Sequence, residues 1–318
     1  MEKKYYNNLI VSSSPHHVNN EDTQRIMAMV IAALIPSLCV ATYVFGPRVL
    51  ALTAVCVVSS VVLEFLWNKL VGRPQTVTDL SAALTGLLIA FNVPSNLPFY
   101  IAIIGCAVAI ILVKGLFGGL GHNLFNPAIT ARVVLFIAFA TQMTTWPVPR
   151  KYDGTTGATP LGILNEGGTD LPTNMDMFLG FCGGSMGEVS AVALLIGGLF
   201  LIWKKVISPI IPVCFIATVF VIGFIATGSL DMAIFHIFAG GVMLGAFFMA
   251  TDYVTTPLLP LGKIIFGVGC GIITMLIRLF GAYPEGVSFA ILLMNILTPH
   301  IDTFCTNRLY PAKKGGAK

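Results

Sequence analysis

The chain is 318 residues long, 56% apolar and 10% charged, with a net charge of +4 and a mean hydropathy of +0.88. Soluble domains carry about 25% charged residues, so this composition excludes a soluble enzyme, a nucleic-acid binder and a disordered chain. It describes a protein held mostly in lipid.

The first 25 residues are polar and lack the apolar core of a signal peptide, so the first transmembrane helix is expected to direct insertion. A helix needs roughly 20 apolar residues to cross the hydrocarbon core. Segments near that length fall at 26–45, 49–68, 79–93, 98–117, 125–143, 188–203, 206–227, 233–250, 262–280 and 285–304, with the third and sixth short. The expected fold is therefore an all-α integral membrane protein of about ten transmembrane helices. Residues 1–25 form an N-terminal segment, 26–304 a polytopic membrane domain and 305–318 a C-terminal tail. Between the fifth and sixth segments lies a long polar loop, 144–187, rich in Gly, Thr, Asp and Pro and too long for an idle connector. Seven cysteines are scattered without C-x-x-C spacing, most of them in or beside apolar runs, where Cys behaves as a small hydrophobe.

Placing the N-terminus in the cytoplasm puts thirteen Lys and Arg residues on the inner side. Only Arg48, Arg150, Lys151 and Arg278 fall outside, and Arg132 lies within a span. Cytoplasmic loops are enriched in Lys and Arg, so both termini are expected inside and the loop 144–187 outside.

Two stretches echo each other. Gly86 and Pro98 stand to each other as Gly245 and Pro257 do, while Gly105-Cys106 and Lys114 match Gly269-Cys270 and Arg278. Leu84–Leu135 thus repeats in Leu244–Ile296 the order of helix, Pro-containing loop, glycine-rich helix and basic exit. Five helices separate the copies, and an odd number reverses direction, which is the signature of an inverted five-plus-five repeat.

Ionisable groups inside spans cost about 2.5 to 3.5 kcal/mol on insertion scales. Glu64, in the second span, therefore needs a partner or a wet cavity, unless it snorkels toward the membrane surface beside Trp67 and Lys69. Arg132 in the fifth span poses the same question, and Asp252 is expected at the interface. Asn123, Asn126 and Pro127 line a site or simply start a helix. Gly183–Gly187 before Glu188 reads either as backbone N–H groups offered to a ligand or as a plain helix start, with Glu188 near the positive dipole end.

The loop segment Asp153-Gly154-Thr155-Thr156-Gly157-Ala158-Thr159-Pro160-Leu161 is the most informative stretch. It resembles the flavinylation motif in which the last Thr of a Ser/Thr-Gly-Ala-Thr core receives FMN through a phosphoester bond. Small residues leave room for a modifying enzyme, and the Thr159 hydroxyl can attack a phosphorus centre if that enzyme supplies base and metal. Standing alone, the same residues read as a Gly/Thr-rich turn ending at Pro160. The motif has company: Gly118–Ala128, Gly183–Glu188, Phe248–Pro257 and Tyr283–Ala290 all resemble landmarks of one family. That family contains the D-type membrane component of the Rnf ferredoxin:NAD oxidoreductase complex and the B-type membrane component of the sodium-translocating NADH:quinone reductase. The resemblance runs from Ser14-Pro15-His16 to about Asp302, and it is nearer to the Rnf component, because the longer N-terminal region of the quinone-reductase component is lacking. Thr156 stands where Ser is usual and keeps a hydroxyl.

The resemblance implies an electron-transfer subunit of an ion-translocating complex in the prokaryotic cytoplasmic membrane, passing electrons between ferredoxin and NAD coupled to Na⁺ or H⁺ export. Thr159 is the implied site of covalent FMN, with Asp153, Thr156, Gly157 and Ala158 around it as the loop a flavin transferase recognises. A second, non-covalent flavin such as riboflavin is implied in the helix bundle. No catalytic side chain and no metal site are expected, since the isoalloxazine carries the redox chemistry. The implied partners are other Rnf membrane subunits, an extracytoplasmic FMN-carrying subunit, cytoplasmic iron–sulfur and flavin subunits, the transferase and the lipid. Two other classes fit the residues: an inverted-repeat solute channel or transporter without redox cofactor, and a structural anchor for catalytic subunits.

Overall fold

The computed structural model describes residues 22–150, 155–168, 171–281 and 286–309. The first half consists of α1 (Thr23–Phe45), α2 (Arg48–Val71), α3 (Ser81–Phe91), α4 (Phe99–Ala107), continued by a π-helix over Val108–Gly115, and α5 (Pro127–Ala138). Between α5 and the second half lie α6 (Ala140–Met143), the two-residue strands β1 (Trp146–Pro147) and β2 (Thr156–Gly157), α7 (Pro160–Asn165) and α8 (Asn174–Leu179). The second half consists of α9 (Ala191–Trp203), α10 (Ile210–Thr227), α11 (Leu230–Phe238), α12 (Val242–Leu244), continued by a π-helix over Gly245–Met249, α13 (Pro260–Phe280) and α14 (Val287–Leu309).

All ten expected segments are helical. Five helices are long and apolar enough to cross a membrane, four shorter apolar helices stand between them, and the eighth segment is a pair bent by 63°. That segment reads as one span in the sequence, but the chain leaves the helix at Ala239 and re-enters at Val242. The boundaries follow local chemistry. Pro127 and Pro260 occupy first helical positions, where the missing N–H costs nothing. Gly72 and Gly228 end α2 and α10 in the left-handed conformation that glycine adopts without strain.

The echo between the halves extends to packing. α2 packs on α3 and α4, while α10 packs on α11 and α13. A Cβ on Gly105 of α4 would meet Leu135 of α5, and one on Gly269 of α13 would meet Met294 of α14, so the matching glycines seat matching neighbours. The halves join along α1 and α9. There a Cβ on Gly197 would collide with the Ala33 carbonyl, the close backbone approach that small residues permit between membrane helices. Phe91, Leu97, Ile101, Ile129, Leu135, Phe215 and Phe266 are fully buried at the centre. Large apolar side chains such as Ile137, Ile225 and Phe280 face outward, which suits a multi-pass protein facing lipid.

Two helices stop inside the protein. α3 ends at Phe91, and Asn92–Leu97 then runs without helix, buried except at Asn96. The second-half π-helix ends at Met249, followed by the non-helical stretch 250–259. The two ends meet: the Asn92 amide nitrogen lies 3.7 Å from the Met249 sulfur, and Asn126 donates to the Met249 carbonyl at 3.2 Å. Broken helices meeting inside the bundle mark the site region of inverted-repeat membrane folds.

Candidate functional site

Thr159 sits at the start of α7, where the loop 144–187 turns into the protein. β1 and β2 pair antiparallel, Trp146 opposite Gly157 and Pro147 opposite Thr156, and Val148 extends the ladder by donating to the Thr155 carbonyl at 3.1 Å. This pairing holds Thr156, Gly157 and Ala158 out in an exposed strand. The next residue is different. Thr159 is only 6% exposed, and its hydroxyl oxygen accepts a hydrogen bond from the Gly162 N–H at 3.1 Å as the N-cap of α7. Thr159 is therefore not the exposed loop hydroxyl that its polar, Gly-rich surroundings suggest. A Thr followed by Pro is a favourable helix start, and the cap draws the side chain in. Asp153 and Lys151 lie outside the described residues.

Beside the strand runs an open groove of about 390 Å³, whose lining includes Ala158, Pro160, Phe181 and Cys182. Arg150 stands over the Phe181 ring at 4.3 Å and the Tyr43 ring at 5.4 Å, and its N–H donates to the Val44 carbonyl at the end of α1. Its left-handed backbone, φ 61°, makes this a sharp corner. Burial pushes the Cys182 thiol up to about 12, helped by the charges of Glu188 and Asp176, so it stays protonated and unreactive.

Behind Thr159 a narrow cleft leads to Glu188. Glu188 pairs with Arg132 at 2.8 Å, and Arg132 also donates to the Asn92 side-chain oxygen at 2.9 Å. The Gly183–Gly187 segment does not offer its last N–H groups to a ligand. Met186 and Gly187 donate to the carbonyls of Val93 and Phe91, satisfying acceptors that the end of α3 leaves orphaned. A Cβ at Gly187 would strike Phe91. Glu188 precedes α9, whose cap is Ser190, so its role is the buried ion pair and not the helix dipole.

At the other end of α1 lies a partly open, mostly apolar cavity of about 360 Å³. Thr23, Ile26 and Val30 of α1, Leu84 and Leu88 of α3, and Phe247 and Phe248 of the second π-helix wall it. Its polar lining includes Asn123, Asn126, Ser81, Lys114, Thr251 and Asp252. Asn126 starts α5, accepting from the N–H groups of Ala128 and Ile129, so the helix-start and site-lining readings both hold. The Asn123 side-chain oxygen is buried and has no partner among the described residues. Asp252 is half-buried in this wall. Burial pushes its carboxyl up, opposed by hydrogen bonds from Thr255 and the N–H groups of Val254 and Tyr253.

Glu64 does not snorkel. It is 3% exposed and both its oxygens lie 2.9 Å from the Lys114 ammonium. Lys114 and Arg278, counted above as loop cations, are buried; Arg278 donates to the carbonyls of His236 and Ala239 at 2.5 and 2.7 Å. The sequence reading missed both ion pairs, whose partners stand 50 and 56 residues apart. The available signal was the charge sum: Glu64, Lys114 and Arg132 all fall in or beside apolar runs, and buried charges come in compensating pairs.

These features define a multi-pass helical membrane protein with an exposed Thr-Gly-Ala strand at one end of α1 and a mostly apolar cavity at the other. The chain belongs to the NQR2, RnfD, RnfE family, whose model matches residues 10–311. It is 49% identical to the D component of the Na⁺-translocating ferredoxin:NAD⁺ oxidoreductase complex of Acetobacterium woodii, over 96% of each chain. It is 43% identical to the D component of the proton-translocating ferredoxin:NAD⁺ oxidoreductase complex of Clostridium ljungdahlii, over 92% of this chain and 93% of the relative. A third relative, the D component of the ion-translocating oxidoreductase complex of Aliivibrio salmonicida, is 38% identical over 96% and 99%.

Proposed function

We propose that this chain is the flavin-carrying membrane subunit of an ion-translocating ferredoxin:NAD oxidoreductase complex, relaying electrons through FMN bound covalently to Thr159, coupled to Na⁺ or H⁺ export. The observation that carries the reading is the arrangement at Thr159: a paired strand presents Thr156, Gly157 and Ala158 to solvent, and Thr159 follows between Ala158 and Pro160, two residues that line the open groove. Relatives that are D components of such complexes, matching nearly the whole chain, support the assignment to the complex. On this reading the termini are cytoplasmic and the Thr159 loop is outside, where covalent attachment keeps a flavin from being lost.

The residues present fit two flavins. Outside, Phe181 and Arg150 offer a flat, cationic wall to a ring tethered at Thr159. Inside, the apolar cavity with a few polar groups suits a planar aromatic ligand, and the Asn123 oxygen can accept from a ring N–H. Bound there, flavins supply the electron-carrying chemistry. The chain holds the two sites apart by the length of α1, a 23-residue helix that at about 1.5 Å per residue covers a hydrocarbon core. The Asn92–Arg132–Glu188 set keeps the bundle between them filled and charge-balanced.

The test is peptide mass spectrometry of the complex purified from cells that contain the flavin transferase. The peptide spanning 152–165 should carry the mass of FMN less one water. Finding it unmodified would remove the electron-relay reading and favour the solute-channel alternative.

A further inference from the structure

The wall of the inner cavity contains an oriented charge pair that the electron-relay reading leaves unused. Lys114 and Ser81 line the 360 Å³ cavity, whereas Glu64 does not. Glu64, Asp79 and Lys114 line a second, more polar cavity of about 320 Å³ on the far side, together with Arg73 and Thr76. The lysine therefore stands in the partition with its carboxylate partner behind it. Hydrogen bonds fix this direction. The Lys114 ammonium donates to both Glu64 oxygens at 2.9 Å and to the Ser81 hydroxyl at 2.5 Å. Ser81 in turn donates to Asp79, and Thr76 donates to Glu64 at 2.6 Å. Arg73 is tied to the Gly115 carbonyl. The carboxyl in the cavity wall, that of Asp252, is pushed toward the neutral form by burial. The positive end of the Glu64–Lys114 dipole thus faces the cavity in a low-dielectric wall, where fixed charges act strongly.

We propose that the Glu64–Lys114 pair is an electrostatic positioning device that sets the reduction potential of the group bound in the 360 Å³ cavity, with Lys114 favouring its electron-rich form and Glu64 limiting that preference. The inference rests on the non-covalent flavin proposed above. One electron added there places one negative charge in the cavity, and the lysine end of the dipole stabilises it. Neutralising Glu64 leaves an uncompensated cation beside the site; neutralising Lys114 leaves an uncompensated anion.

The experiment is a spectroscopic redox titration of the intact complex carrying Glu64→Gln, Lys114→Met or both, with the covalent FMN of the same preparation as internal control. At a fixed poise, Glu64→Gln should raise the ratio of reduced to oxidised non-covalent flavin by about tenfold or more, about 59 mV for a one-electron couple. Lys114→Met should lower it. The double variant removes both charges, so it keeps the inference testable if a single variant fails to assemble; its midpoint should fall below that of the unaltered protein, with the covalent FMN unmoved. Unchanged midpoints for the non-covalent flavin in variants that retain it would overturn the inference alone. Acid precipitation of the unaltered complex with no flavin left in the supernatant would instead overturn the non-covalent flavin and this inference together. Met27→Trp, which fills the cavity from α1, should lower that extractable flavin at least about tenfold; full retention would place the flavin elsewhere and overturn both.

Discussion

The two ends of α1 meet surroundings that differ in what they can hold. Near Thr23 the chain closes an apolar cavity on several sides with α1, α3 and the second π-helix. Near Val44 it meets an open groove beside a two-residue strand pair, held by the Arg150 corner. A pocket walled on several sides by apolar residues can bury much of a ligand's surface and retain it without a bond. An open groove cannot, and retention there needs a covalent tether. On the proposed reading, the difference matches a threonine between two groove residues at one end and an unpartnered amide oxygen in the cavity wall at the other.

The sharpest way to break this comparison is to remove the tether. Thr159→Ala should abolish covalent flavin completely while leaving the acid-extractable flavin at its usual level, read as in-gel fluorescence against supernatant fluorescence. A fluorescent band that survives the substitution would move the attachment to another residue. Thr155→Ala should keep the band, because its hydroxyl lies four residues from Thr159, the proposed attachment point.

The region between the ends tests whether charge balance holds them in register. Removing one member of a buried pair leaves the other uncompensated, at about 3–5 kcal/mol. Arg132→Met or Glu188→Gln alone should therefore lower the thermal midpoint of the detergent-solubilised complex strongly, whereas the double variant should recover a large part of the loss. Equal losses in the single and double variants would mean that Arg132 acts through Asn92 more than through Glu188. A smaller effect is expected at the seam between the halves. Gly197→Ala places a methyl against the Ala33 carbonyl, and overpacking of this kind costs about 1–3 kcal/mol. The same unfolding assay should show a loss in that range, and none for Ala at Gly184, where an added Cβ would meet nothing within 4 Å and the backbone is not left-handed.

Much of the fold is legible in the sequence because apolar run length is a direct reading of span length. The ten segments, the two short helices and the glycine echo all rest on that or on local composition. Breaks inside apolar runs are less legible. The bend between Phe238 and Val242 lies in a run that stays hydrophobic throughout, and only Gly240-Gly241 hints at it. The site divides in the same way. The Thr-Gly-Ala-Thr pattern points to Thr159, but its burial depends on a hydrogen bond to Gly162 that composition does not encode. Pairing of Glu64 with Lys114 and of Glu188 with Arg132 depends on which helices become neighbours, and no local signal carries that. The Gly183–Gly187 run shows how a glycine pattern deceives: its N–H groups serve the end of α3, and its smallness serves Phe91.

The cap at Thr159 gives the smallest effect and the finest test of the difference between the two ends. Its hydroxyl oxygen accepts from Gly162, so an enzyme that bonds phosphorus to that oxygen must first draw the side chain out and release the start of α7. Losing an N-cap costs about 1 kcal/mol, small enough for the transferase to meet from its own binding energy. In protein made without the transferase, Thr159→Ala should therefore speed amide hydrogen exchange at Gly162 and Ile163 by about fivefold, the equivalent of about 1 kcal/mol. Thr159→Ser should leave it near the original rate, and exchange in α1, remote from α7 except at its outer end, should not change. The modified chain sharpens the point. If attachment keeps the side chain outside, exchange at these amides should match that of the Ala variant; if the oxygen returns to its cap, it should match the unmodified protein. The first result makes the tether a flexible arm, and the second makes α7 its rigid base.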